Sequence, residues 1–175
     1  MPERGARFDA CFREHYPRVL AYARRRLPDR ATAEDVAAET FVVAWRRLDE
    51  GPGDQLPWLL GIARLLVLNE LRSGRRRDRL IARVGAQPRH PDAQPNDEPE
   101  PSPVIGALRH LSEHDQEILL LVAWEGLDHG RAAQVAGCTR GAFTVRLHRA
   151  RARLTRQLAR TSAGSERTTL DSLRS

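Results

Sequence analysis

The stretch GAQPRHPDAQPNDEPEPSP, residues 85–103, constrains this chain more than any other part of it. It holds six prolines, four acids and no large apolar side chain. A segment of that composition cannot bury enough surface to offset the entropy of ordering, and its prolines favour extended, semi-rigid conformers. The residues on either side must therefore build separate cores. The expected organisation is a first domain over residues 1–84, a flexible linker over 85–103, a second domain over 104–160 and a disordered tail over 161–175.

Both flanking segments carry helical periodicity. Phe8, Phe12, Tyr16, Val19, Leu20, Ala23 and Leu27 recur at steps of three and four, with Pro17 as a candidate kink. In RATAEDVAAETFVVAWRRL the apolar stripe is Ala33, Val36, Ala37, Phe41, Ala44, Trp45 and Leu48. Its opposite face presents Asp35, Glu39, Val42 and Arg46. Glycine and proline make 49–57 a loop, after which WLLGIARLLVLNELR resumes a helix and SGRRRDR follows as a basic end. No strand alternation and no hairpin signal are present. An all-α fold of two small helical domains is the expectation.

The second domain is legible through its caps. Ser112 is a candidate N-cap, with Asp115 favouring the helix start. Gly126 ends that helix. Asp128 can cap a short helix over 129–136, Gly137 supplies a turn, and Thr139 can cap a helix from Arg140 to about Arg160. Helix, glycine turn, helix is the helix-turn-helix pattern, whose second helix enters the DNA major groove. Eight arginines lie between 126 and 160, and no acid occurs from His129 to Ser165.

With Phe143, Leu147, Ala150, Leu154 and Leu158 as the buried seam, Arg140, Thr144, Val145, His148 and Arg149 fall on or near the free face. Arginine can bind guanine through two hydrogen bonds, and threonine and valine can meet a thymine methyl. Arg131, Arg146, Arg151, Arg153 and Arg156 are better placed for phosphates, which give affinity without sequence preference. A solvated basic helix in an ordinary bundle is the plain alternative.

Charge supports a polyanion partner. The net charge is +6, but it divides into +5 over 1–84 (17 Arg, 12 acids), −3 over 85–103 (one Arg, four acids), +4 over 104–160 (nine Arg, five acids) and zero over the tail (two of each). All 29 basic residues are arginine, a bias that a GC-rich genome by itself would produce. No apolar run is long enough to span a membrane and no signal peptide is present, so no membrane insertion and a cytoplasmic location are expected. Cys11 and Cys138 form no metal-ligand spacing and read as reduced thiols. The pairs His110/His114 and Cys11/His15 supply two ligands each, which do not make a metal site. No metal, cofactor or catalytic set is expected.

The chain as a whole resembles an extracytoplasmic-function sigma factor, the compact sigma-70 family subunit of bacterial RNA polymerase. FREHYPRVLAYARRRLPDRATAEDVAAETFVVAWRRLD resembles the first part of sigma region two, and PWLLGIAR…LNELRS its end. LSEHDQEILLLVAWEGLDHGRAAQVAGCTRGAFTVRLHRARARL resembles region four. The resemblance implies promoter recognition. Region four would dock on the minus-35 element through Arg140, Thr144, Val145, Arg146, His148, Arg149 and Arg153. Region two would recognise and open the minus-10 element through Asp54, Trp58, Arg64, Asn69, Arg72, Arg75 and Arg76.

Asp35, Glu39, Val42 and Arg46 match the segment that binds the polymerase beta-prime clamp helices, although from the residues alone this is a solvated helix face. Trp58 can stack on a flipped base or serve as core. The implied partners are polymerase core (beta-prime clamp helices and beta flap), promoter DNA and an anti-sigma factor, and the linker would run through the RNA exit channel. Leu65, Ala136 and Thr144 depart from the residues usual in the family. A free-standing helix-turn-helix regulator and a protein-binding adaptor are the competing readings, and the salt dependence of DNA binding separates them.

Overall fold

The structure is a computed structural model that describes residues 2–51, 53–84 and 102–172. Of the linker expected over 85–103, residues 85–101 lie outside the described residues, and Ser102 and Pro103 already open a helix. Among those described, every regular element is helical. The chain folds as two separate units, Met1–Asn96 and Asp97–Ser175.

The first unit contains α1 (Pro2–Arg24), α2 (Arg30–Arg46), a 3-10 turn (Leu48–Glu50) and α3 (Gln55–Val84), with each of the three helices packed against the other two. Asp29 starts α2 by accepting a hydrogen bond from Thr32 N at 2.7 Å. Ala33, Ala37 and Ala44 are fully or almost fully buried, and these small residues let α2 approach its neighbours closely around Val19, Tyr22, Phe41, Leu59 and Leu60. Thr40 is buried too; its hydroxyl donates to Val36 O at 2.7 Å, which satisfies the only polar group on that stripe. Pro17 is exposed within α1 and does not end it.

Three expectations change here. The loop over 49–57 is shorter, because α3 begins at Gln55 and takes Pro57 into its first turn, where the missing N–H costs no hydrogen bond. The helix then continues through Ser73 and Gly74 to Val84. Arginine and leucine are good helix formers, and one glycine costs only about 1 kcal/mol. Trp45, read as core, is 41% exposed.

The second unit contains α4 (Pro103–Arg109), α5 (Glu113–Ala123), α6 (His129–Ala136) and α7 (Arg140–Ser172). Ala107, Ile118, Leu121, Ala132, Phe143, Leu147 and Ala150 form its core. Gly126 and Gly137 adopt φ of 64° and 67°, a left-handed backbone that residues with a Cβ avoid. α7 runs past Arg160, where the tail was expected to begin, because no proline interrupts it. Of its seam, Phe143, Leu147 and Ala150 are buried, whereas Leu154 and Leu158 are half-buried.

Candidate nucleic-acid interface

The helix-turn-helix is held by local hydrogen bonds at each joint. Asp128 Oδ1 accepts from Gly130 N at 2.7 Å and Arg131 N at 3.1 Å. A Cβ at Gly130 would lie 3.1 Å from that oxygen, so glycine leaves room for the cap. α6 ends with Cys138 N donating to Ala133 O at 3.0 Å across the left-handed Gly137. Thr139 Oγ1 then accepts from Ala142 N at 3.2 Å and starts α7.

The two backbone N–H groups, Arg131 first, hold the Asp128 carboxyl below its ordinary value of 3.8. A depressed native pKa contributes stability above the unfolded value, and that contribution is lost as pH falls through the native one. Asp128→Ala should therefore lower the melting temperature at neutral pH. The difference from wild type should shrink as the medium is acidified below 3.8; thermal melts of both proteins across that range check it.

Phe143, with no exposure, sets the rotation of α7. Arg140, Thr144, Val145, Arg146, His148 and Arg149 are all exposed, Val145 to 50%. Thr144 is less free than its position suggests. Its hydroxyl donates to Arg140 O at 2.9 Å, and with that proton committed its oxygen accepts from His129 Nδ1 at 3.2 Å. What Thr144 offers a base is its methyl. His129, whose ring also lies 6.0 Å from that of Phe143, ties α6 to α7. Sequence reading passed over it, and its position directly after the Asp128 cap was the available signal.

Arg153 departs most from expectation. Its Nη1 donates to both carboxylate oxygens of Asp115, at 2.7 and 2.9 Å. The side chain turns toward α5 because Asp115 is a buried carboxylate that requires a cation.

In the first unit, Trp58, Leu65, Asn69, Arg72 and Arg76 lie 7, 4, 3 and 4 residues apart, which aligns them on one face of α3. That row spans about 27 Å at 1.5 Å per residue. Asn69, Arg72, Arg75 and Arg76 are exposed, as is Leu65 at 64%. Arg76 donates to Ser73 Oγ at 3.1 Å. Arg64 and Asp54 are half-buried, and Arg64 Nε is buried with no hydrogen-bond partner among the described residues. Trp58 is half-buried, packed beneath the loop: a Cβ at Gly51 would stand 3.2 Å from Leu48 O and 3.5 Å from the Trp58 ring. The indole thus serves as core on at least one side.

On α2, Asp35, Glu39, Val42 and Arg46 are exposed, Val42 to 48%. Beside them lies an open apolar groove of about 420 Å³ between α1 and α2, lined by Phe8, Phe12, Tyr16, Phe41, Val42 and Trp45. Phe8 meets Trp45 edge-on at 5.0 Å and Phe12 meets Phe41 at 4.9 Å. Arg4 covers the Trp45 ring at 5.0 Å, donates to Trp45 O at 2.8 Å and approaches Asp49 within 3.4 Å. The aromatic groove escaped sequence reading, which assigned these rings to a closed core. Val42 on an otherwise charged face was the clue.

Cys11 is buried, and burial, then Glu14, raises its thiol pKa, which keeps it protonated. Among the described residues no helix is long and apolar enough to cross a membrane.

One unit thus carries an arginine-rich helix-turn-helix, and the other a helix with a cationic face. Residues 11–77 match the family Sigma-70 region 2, and residues 103–154 match Sigma-70, region 4. The chain is 30% identical to the RNA polymerase sigma factor CarQ of Myxococcus xanthus, over 81% of this chain and 83% of that one. It is 29% identical to the RNA polymerase sigma factor NccH of Alcaligenes xylosoxydans xylosoxydans, over 81% and 82%. Among solved structures it is similar to the sigma factor RpoE of Bartonella quintana in complex with the anti-sigma factor NepR, with a TM-score of 0.61, 27% identity and coverage of 87% and 96%. The chain belongs to the sigma-70 family of RNA polymerase sigma factors, in its extracytoplasmic-function group.

Proposed function

We propose that this protein joins RNA polymerase core in the cytoplasm, directs it to promoters and helps open the minus-10 element, while the polymerase performs the chemistry. The observation that carries this reading is the presence, in one chain, of a region-two unit and a region-four helix-turn-helix whose base-facing residues are exposed. Arg140, Arg149 and the methyls of Thr144 and Val145 read minus-35 base edges, with Arg146 and His148 at the groove edge. The α3 row Asn69, Arg72 and Arg76, flanked by Arg64 and Arg75, follows the melted strand's phosphates. Asp54 and Trp58 border the loop that receives a flipped base. An anti-sigma factor holds the protein inactive until a signal releases it, a reading supported by the relative bound to NepR. Run-off transcription with core polymerase on a genomic promoter library tests the whole reading; no sequence-dependent transcript above core alone would end it.

The polymerase-facing surface combines two parts. Asp35 and Glu39, one turn apart, offer negative charge to the basic beta-prime clamp helices, and Val42 leads into the aromatic groove, which takes apolar side chains. Region four meets the beta flap. Reversing Asp35 and Glu39 to arginine should weaken core binding at least about tenfold, since two attractive contacts become repulsive at a cost of several kcal/mol. Both side chains are exposed, so the helical content should remain. Core affinity by fluorescence anisotropy, beside a circular dichroism spectrum, checks this; a folded double variant with wild-type affinity would sink the assignment.

A further inference from the structure

The ion pair between Asp115 and Arg153 invites a role that the DNA reading does not include. Asp115 is 6% exposed, and among the residues whose burial is described the other buried ones of α5 and α7 are apolar. Its carboxylate lies in the first turn of α5, where the unpaired N–H groups favour negative charge. Its own N–H donates to Ser112 Oγ at 3.2 Å. The partner shown for this buried carboxylate is Arg153 Nη1, at 2.7 and 2.9 Å from its two oxygens.

Apolar contact between two helices is non-directional and tolerates small slides and rotations. A charged hydrogen bond to a buried carboxylate does not. Arg153 follows Val145 by eight residues, about 12 Å along the helix, so a small rotation at the ion pair displaces the base-facing residues. His110, Arg156 and Arg160 line the same groove as the pair. Without Asp115, Arg153 would face like charges and swing into solvent.

We infer that Asp115 and Arg153 are positioning residues that set the register and angle of α7 against α5, and that Arg153 is not a phosphate ligand. The inference rests on α7 reading minus-35 DNA.

The test uses the full chain assembled with core polymerase, on a randomised minus-35 library at several salt concentrations. D115N and R153Q should each reduce discrimination among minus-35 sequences by about tenfold, and the double variant should be no worse than either, as expected for two residues acting through one contact. The salt slope should not change. R153K should recover the wild-type profile, because a single nitrogen makes both bonds. A phosphate ligand predicts otherwise: R153Q would lower the salt slope by about one, while D115N would leave base preference intact or raise occupancy. Either result, or additive losses in the double variant, overturns the inference. If D115N fails to fold, the R153Q salt slope decides alone, unchanged in support and reduced by about one against. R149A is the control: an unaltered base profile there removes the DNA reading itself and the inference with it.

Discussion

Replacing Phe143 with alanine is expected to destabilise the second unit by about 3–5 kcal/mol, the usual cost of removing a buried aromatic ring. Phe143 has no exposed surface and sits at the start of α7, where Leu147 and Ala150 continue the seam. The neighbouring His129 ring, 6.0 Å away, is tied to Thr144. A domain typically has only about 5–15 kcal/mol in total, so much of the helix-turn-helix should be unfolded on mild warming. Hydrogen exchange resolved by residue reads this directly. Protection should collapse over 129–150 and persist over 30–46, which belongs to the other unit. Retained protection in α6 and α7 would mean the ring is not what holds them together.

Arg149→Ala should lower the affinity of holoenzyme for its best minus-35 sequence by about 1–3 kcal/mol, roughly fivefold to 150-fold, and flatten preference at one or two base pairs. Arg149 is exposed, near the outward line from the buried seam and one turn beyond Val145. Arg156→Ala, further along the helix, should weaken all sequences alike and reduce the salt slope by about one, the mark of a phosphate contact. Both holoenzymes on one randomised minus-35 library separate the two behaviours. An unchanged base profile for Arg149→Ala would show that α7 does not meet base edges on this side.

The candidate site was legible wherever its cause is local. Ser112, Asp128 and Thr139 each cap the helix expected of them, because a cap depends on side-chain oxygens two or three residues from the N–H groups they bind. Gly126 and Gly137 punctuate where expected, because a left-handed backbone demands a missing Cβ. The exposure of Asp35, Glu39, Arg140 and Arg149 followed from helical phase alone. Element ends were less legible. α3 and α7 run on past their apolar seams, since arginine, serine and threonine neither require a helix nor forbid one.

Long-range partners were not legible. Arg153 looks like any other arginine of its run, and only the burial of Asp115, 38 positions away, turns it inward. Trp45 continues an apolar stripe, yet the approach of α1 leaves an open groove that exposes 41% of it. Thr144 keeps its place on the free face but gives its hydroxyl to Arg140 O and its oxygen to His129. The sequence by itself determined most of the helices, their caps and the face each presents, because periodicity and capping act within one or two turns. The tertiary structure alone decided which exposed polar groups are already spent inside the protein and which apolar surface stays open, because both depend on residues that meet only once the helices pack.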